Sequence, residues 1–283
     1  MPTFTNQATL LYNTGAVNSN IVTGELLRTL SATKTVLDSG FRAGSPVTYV
    51  VSIVNTGATP YTSLTVTDDL GAYDFNGTTL YPLDYNGTVN YYVNGALQPA
   101  PAVTAGPPLV ISGINVPANG NALIVYQATP NSFAPLSDGS TVTNTATVDG
   151  AGLSAPITAS ASLAAAEGPV LSITKTLSPA SVAENGTLTY TFLIENLGST
   201  PATATDNLSV TDTFEPILSN ITVTLNGVTL TSPESYFYNE TTGLFTTVPG
   251  VITVPAATYV QDAQTGVWTT VPGTATLTIS GTV

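Results

Sequence analysis

The chain repeats itself, and the repeat decides what it can fold into. Lys34, Tyr49 and Asn55 recur as Lys175, Tyr190 and Asn196, at a constant offset of 141 residues. Around these anchors LSATKTV (30–36) matches LSITKTL (171–177), VTYVVSIVNTG (47–57) matches LTYTFLIENLG (188–198), and LTVTDDL (64–70) matches LSVTDTF (208–214). Two copies in 283 residues make two domains of one kind, each large enough for its own core. Apolar residues alternate with Thr, Ser and Asn in both copies, and Asn-Gly pairs punctuate the alternation, the pattern of strands joined by tight turns. YYVNGALQP (91–99) and VTLNGVTL (223–230) read as hairpins with two-residue turns. Helix signals are absent, and the expected fold class is an all-β sandwich.

The two copies differ in how they finish. Copy one passes from ALIVYQAT (122–129) through a loop to a last strand, TVTNTATV (141–148). Copy two reaches the matching ATLTISGTV (275–283), and the counterpart of the last strand stands instead at the head of the chain, as TFTNQATL (3–10). Asn6 to Lys34 spans 28 residues and Asn144 to Lys175 spans 31, so residues 13–29 correspond to the joint at 149–170. The expected organisation is a donor strand and joint over 1–29, a first sandwich over 30–149, a linker over 150–170, and a second sandwich over 171–283 without its final strand.

Composition removes whole classes of function. The formal net charge is −13, yet only 7% of residues are charged, so solubility rests on hydroxyls and amides. Four basic residues leave no nucleic-acid footprint and little attraction to anionic membranes. The chain has no His and no Cys, which removes most metal, redox and nucleophilic chemistry; no cofactor and no metal site are expected. A cysteine-free, acidic, Thr-rich β chain fits an extracellular protein that does without disulfides. No apolar run is long enough to span a bilayer, and MPTFTNQATL lacks the basic and apolar regions of a signal peptide. That start fits either another export route or a mature form.

The pattern resembles the repeat called domain of unknown function eleven, found in tandem in large surface proteins of Gram-positive bacteria and archaea. The resemblance is carried by the Lys-Thr opening (34–35, 175–176), the Tyr…Asn-x-Gly strand and turn (49–57, 190–198), the Val-Thr-Asp strand (66–68, 210–212) and the Thr-Asn-x-Ala-Thr strand (143–147, 5–9). It implies an immunoglobulin-like sandwich and a role as a surface stalk or fibre. The displaced strand is the departure from that family, whose tandem copies close on themselves.

Strand alternation then decides which way the only two lysines point. Leu30, Ala32, Lys34 and Val36 share one face, as do Leu171, Ile173, Lys175 and Leu177. Val142, Asn144, Ala146 and Val148 line up in the last strand, and Phe4, Asn6, Ala8, Leu10 and Tyr12 in the donor strand. Asp68 falls with Leu64, Val66 and Leu70, and Asp212 with Leu208, Val210 and Phe214. Each sandwich is therefore expected to bury one Lys, one Asn and one Asp. An isolated buried ammonium costs several kcal/mol even after relaxation. Attack of the amine on the asparagine side-chain carbonyl, with release of ammonia, replaces that charge by a neutral amide. Burial favours the reaction, since it lowers the pKa of an amine and raises that of a carboxylic acid.

This trio is similar to the self-forming isopeptide bonds of Gram-positive pilin and adhesin domains. The expected bonds are Lys34–Asn144 within the chain, assisted by Asp68, and Lys175 to Asn6 of another subunit, assisted by Asp212. Plainer roles compete with each assignment. A first-strand lysine can snorkel at the sandwich edge, and Asn6 and Asn144 can be satisfied core amides. Asp68 with Asp69, or Asp206 with Asn207, can form a turn or a weak calcium site, though neither matches a calcium loop. Asn55 and Asn196 belong to Asn-x-Gly turns, and Tyr81, Tyr85, Tyr91 and Tyr92 read as core or subunit contact.

The functional expectation is a structural subunit of an extracellular fibre on a bacterial cell or spore surface. It would form a head-to-tail homopolymer in which an eight-residue strand, roughly 27 Å long, fills the open groove of a neighbour. A contact of that kind that does not close on itself builds an open filament. The alternative is a stalk or adhesin fragment of a larger surface protein. The acids are too scattered for a glycosidase pair, and no enzyme is expected.

Overall fold

The computed structural model describes residues 3–283, and residues 1 and 2 of the expected arm lie outside the described residues. The chain is all-β: two tandem immunoglobulin-like sandwiches preceded by a strand-forming arm, with a single 3-10 turn at Ala204–Asp206 as the one helical piece among the described residues.

The arm comprises β1 (Thr3–Asn6), β2 (Thr9–Tyr12), β3 (Gly15–Asn18) and β4 (Val22–Glu25). β1 pairs with β4 and β2 with β3, so the arm is one antiparallel hairpin interrupted at Gln7 and Ala8. This differs from the single free strand expected over 3–12. Without a groove to enter, that strand takes its hydrogen bonds from the residues after the Asn13-Thr14-Gly15 turn. Phe4, Asn6, Ala8, Leu10 and Tyr12 are all exposed.

In the first sandwich, one five-stranded sheet has the order β11 (Ala96–Leu97), β10 (Leu83–Val93), β14 (Gly120–Pro130), β6 (Val47–Asn55), β5 (Leu30–Val36). The facing sheet has the order β12 (Ala102–Thr104), β13 (Leu109–Val116), β7 (Tyr61–Asp68), β15 (Thr141–Asp149), β16 (Ile157–Ala164). A small hairpin, β8 (Tyr73–Phe75) with β9 (Thr78–Leu80), stands beside them. Alternation sends Val47, Tyr49, Val51 and Ile53 inward to meet Leu64, Val66, Ile111, Val142 and Val148. The segment 157–164, expected as linker, is a full strand paired with β15 from Thr141↔Ala164 to Val148↔Ile157. It buries Ala161 and Leu163, so the first sandwich extends well past residue 149.

The second sandwich repeats the first sheet in order: β17 (Leu171–Ser178), β18 (Thr187–Asn196), β26 (Gly273–Thr282), β20 (Ser219–Leu225), β21 (Val228–Thr229). Its facing sheet holds only β19 (Thr211–Thr213), β23 (Leu244–Thr247) and β22 (Tyr236–Asn239). β19 corresponds to β7, whose other neighbour in the first sandwich is β15; among the described residues nothing occupies that place. A further hairpin, β24 (Thr258–Gln261) with β25 (Trp268–Val271), reaches the first sandwich, where the Trp268 amide donates to Ser132 O at 2.8 Å.

Both expected two-residue hairpins are present, β10–β11 closing at Val93↔Ala96 and β20–β21 at Leu225↔Val228. Asn94 (φ 47°), Gly95 (φ 80°), Asn226 (φ 50°) and Gly227 (φ 78°) are left-handed at both central positions, which is why Asn-Gly stands there. Asn55 and Asn196 are matched structural locks. Asn55 donates to Thr59 O and Pro117 O at 2.8 and 2.9 Å, and Asn196 to Thr200 O and Pro255 O at 2.8 and 3.0 Å.

The missing strands leave one clear signature. Leu30 is 5% exposed, while its counterpart Leu171 is 41% and Ile173 is 54%. Leu30→Ala should therefore lower the unfolding free energy of the first sandwich by about 2–5 kcal/mol, the usual range for a buried leucine. Leu171→Ala in the monomer should change it by no more than about 0.5 kcal/mol, as at most surface sites. Denaturant titration of the two variants checks the contrast.

Candidate functional site

Four side chains meet in the middle of the first sandwich. Lys34 reaches inward from β5, Asp68 ends β7, Tyr126 is on β14 and Asn144 on β15. Lys34 and Asp68 side chains are both fully buried, and Lys34 Nζ donates to Asp68 Oδ2 at 2.5 Å. The Tyr126 hydroxyl donates a short hydrogen bond to the same carboxylate oxygen. Asn144 Nδ2 donates to the Tyr126 oxygen at 3.3 Å, so the amide, phenol, acid and amine form one connected chain. Asn144 Oδ1 is buried without any partner. An unpaired buried carbonyl of this kind is destabilising by about 1–3 kcal/mol, and it is the atom that a donor would polarise.

Aromatic rings wall the site. Tyr49 and Tyr126 stack with centroids 5.6 Å apart, and Lys34 Nζ lies 5.0 Å from the Tyr49 centroid. Burial lowers the Lys34 pKa, with the attraction of Asp68 acting in the opposite direction. Burial also pushes the Tyr126 and Tyr49 hydroxyls well up, reinforced by the Asp68 charge. Tyr126 therefore stays a hydrogen donor, and Lys34 surrenders its proton more readily than a surface lysine does.

The chemistry-bearing residues expected for this domain, Lys34, Asp68 and Asn144, are thus all placed inside. Tyr126 was not singled out from sequence, though alternation in ALIVYQAT puts its hydroxyl on the buried face with Ala122, Ile124 and Ala128. The neighbouring Asp69 is a turn anchor, its Oδ1 accepting from Gly71 N at 2.9 Å and Thr145 N at 2.8 Å. Asp206 accepts from Thr203 N at 2.6 Å in the same manner. Among the tyrosine cluster, Tyr91 is buried and its hydroxyl bonds both backbone groups of Asn115.

In the second sandwich the site is half built. Lys175 and Asp212 form a close ion pair, but their side chains are 41% and 20% exposed. This departs from the expected buried trio: alternation aims Lys175 correctly, yet nothing covers it, and all eight residues of β17 are exposed. Lys175 Nζ lies 4.5 Å from the Tyr190 ring and 5.6 Å from Phe214, repeating the aromatic wall. Ile279 takes the position of Tyr126, since Ile279 pairs with Tyr190 as Tyr126 pairs with Tyr49. Asn6, expected as the partner amide, is in the exposed arm of the same chain.

No protein-family model matches the chain, and no curated protein sequence matches it. Among solved structures it is similar to the major pilin subunit BcpA of Bacillus cereus, at 11% identity and TM-score 0.35, covering 96% of this chain and 73% of that one. It is similar to the pilus backbone protein RrgB of Streptococcus pneumoniae, at 14% identity and TM-score 0.35, covering 87% and 55%. It also overlays a family 123 glycoside hydrolase of Clostridium perfringens, at 11% identity and TM-score 0.32, over 48% of this chain and 27% of that one. Overlays this partial carry no function from one molecule to another. No helix among the described residues is long and apolar enough to cross a membrane.

The two ion pairs should respond differently to deletion. Lys34→Met leaves Asp68 buried and unpaired and should destabilise the first sandwich by about 3–5 kcal/mol, with much of the loss recovered in Lys34→Met/Asp68→Leu. Lys175→Met in the monomer should have an effect on the order of 0–1 kcal/mol, because water already screens that pair. Denaturant midpoints of the three variants report the difference.

Proposed function

We propose that this chain is the subunit of an extracellular fibre on a bacterial cell or spore surface, polymerising head to tail. The N-terminal arm of one subunit enters the open second sandwich of the next. The observation that carries this reading is the half-built site: Lys175 and Asp212 stand at an uncovered face, and the strand that would complete them is spelled out at residues 3–10. Threading that strand beside β19 with Asn6 in the place of Asn144 sets Ala8 opposite Asp212, as Ala146 is opposite Asp68. An unpaired strand edge flanked by apolar side chains favours addition of a strand.

Covalent closure follows from the same placement. In the first sandwich Lys34 passes one proton to Asp68 Oδ2, with which it shares a hydrogen bond, and the freed amine attacks Cγ of Asn144. The Cγ–Nδ2 bond breaks as the leaving nitrogen takes the second proton shed by Nζ, and ammonia departs, leaving a neutral Nζ–Cγ amide. Between subunits Lys175 does the same to Asn6 of the neighbour, with Asp212 taking the proton from Nζ. Each site reacts once, so the chain is a substrate of its own chemistry and turns over nothing. Neither bond needs a cofactor.

The purified chain should give a ladder of multimers on a denaturing gel and lose one ammonia per bond in intact mass. Digestion should yield branched peptides joining the Lys34 and Asn144 regions, and Lys175 with Asn6. Lys175→Ala and Asn6→Ala should each abolish the ladder while leaving fibres that denaturant dissolves, and removal of residues 1–12 should abolish assembly. A chain that stays monomeric at high concentration, as a stalk fragment would, overturns the proposal.

A further inference from the structure

The arm and the hairpin that seals the first sandwich share more than one strand. With Asn6 laid on Asn144, the pairs Thr3↔Glu25, Phe4↔Gly24 and Asn6↔Val22 fall on Thr141↔Ala164, Val142↔Leu163 and Asn144↔Ala161. The outward faces correspond as well. Thr143 and Ser162 share a hydroxyl bond at 2.8 Å, and Thr5 pairs with Thr23 at the matching place. The inward faces exchange bulk: the Phe4 ring lies over Gly24, 2.4 Å from where a Cβ would be. One large and one absent side chain thus stand where Val142 and Leu163 stand in the first sandwich.

Resting on the fibre reading above, we infer that the donated unit is the whole hairpin, residues 3–25, preformed in the free subunit and docked as a two-stranded block. Among the described residues the second sandwich has no counterpart of β15 or β16, and a single strand beside β19 would leave β17 uncovered. In the first sandwich β16 is the strand against β5, and only after it is in place is Leu30 sealed. β3 and β4 of the arriving arm take that role over Leu171, Ile173 and Leu177. Beyond the hairpin, Ala165 makes a parallel bridge to Phe41, with the Phe41 amide donating to Ala164 O at 3.0 Å and the Ala166 amide to Phe41 O at 2.8 Å. Leu26 and Val182 occupy the corresponding positions, so they meet across the subunit boundary.

The chain has no cysteine, which makes paired cysteines a clean probe. In a Lys175→Ala background, where the only intermolecular covalent link is the engineered one, two pairs are compared under oxidation. Leu10→Cys/Val210→Cys reports the first strand, through the Val148↔Val66 pairing it copies; Leu26→Cys/Val182→Cys reports the end of the second. Paired residues on neighbouring strands are about 4.5–5.5 Å apart, within disulfide reach. The expected result is a reductant-sensitive multimer ladder from both pairs. A ladder from Leu10→Cys/Val210→Cys alone overturns the hairpin and leaves single-strand donation standing. Absence of multimers with either pair, or a disulfide closed within one monomer, overturns both.

Discussion

A lysine ammonium can be held inside a protein only where water is kept out and every partner is in place, and the first sandwich meets that condition with its last two strands. β15 and β16 cover the open side of β5 and β7, and Lys34 and Asp68 are dry as a result. The second sandwich holds the same amine, the same acid and the same aromatic wall, and remains wet because that pair of strands is absent among the described residues. In the proposed fibre one arriving hairpin would both cover Lys175 and present Asn6.

The arm must survive before it finds a groove. Phe4, Leu10, Leu11, Tyr12, Val17, Ile21 and Val22 are all exposed, a surface that invites unspecific association. Folding back as a hairpin satisfies one edge of each strand internally, which blunts that hazard. It also means that fewer backbone torsions remain to be fixed on docking, so less of the interaction free energy is lost to ordering. A disordered arm would bind through the same contacts more weakly. Gly24 fits this scheme: any side chain there would displace the Phe4 ring that the hairpin presents.

Much of this was legible in the residues, for a physical reason. Alternation at period two is enforced by the pleat, and it aimed Lys34, Asp68 and Asn144 inward before any coordinates. The repeat located the matching residues Lys175, Asp212 and Asn6. Alternation reports direction and not cover; the open side around Lys175 is expected from the repeat, whose second copy lacks its final strand, whereas nothing in the residues shows that Asn6 folds back in an exposed hairpin. Residues 157–164 read as linker because ITASASLA buries alanines and one leucine instead of β-branched side chains. Tyr126 was passed over because an aromatic on a buried face is ordinary core, and only the shared oxygen of Asp68 shows its hydroxyl to be part of the site.

The direction of the Lys34 shift shows what the proposed amide would relieve. Its pKa lies below the ordinary lysine value of 10.5 in the fold, so the folded state binds that proton less tightly than the unfolded chain does. Above the unfolded value both states are neutral and nothing is lost. As pH falls through that value the unfolded chain gains a proton the fold resists, and stability drops until the folded amine is protonated as well; below its lowered pKa the full penalty remains. Neutral pH is on the penalised side. The proposed conversion of the amine to an amide would remove the titrating amine and with it the penalty, and would fix β5 to β15 by a covalent bond. The chain has few charges elsewhere, 7% of its residues, and neighbouring strands are joined by neutral hydroxyl pairs such as Thr145–Ser160 and Thr189–Ser280.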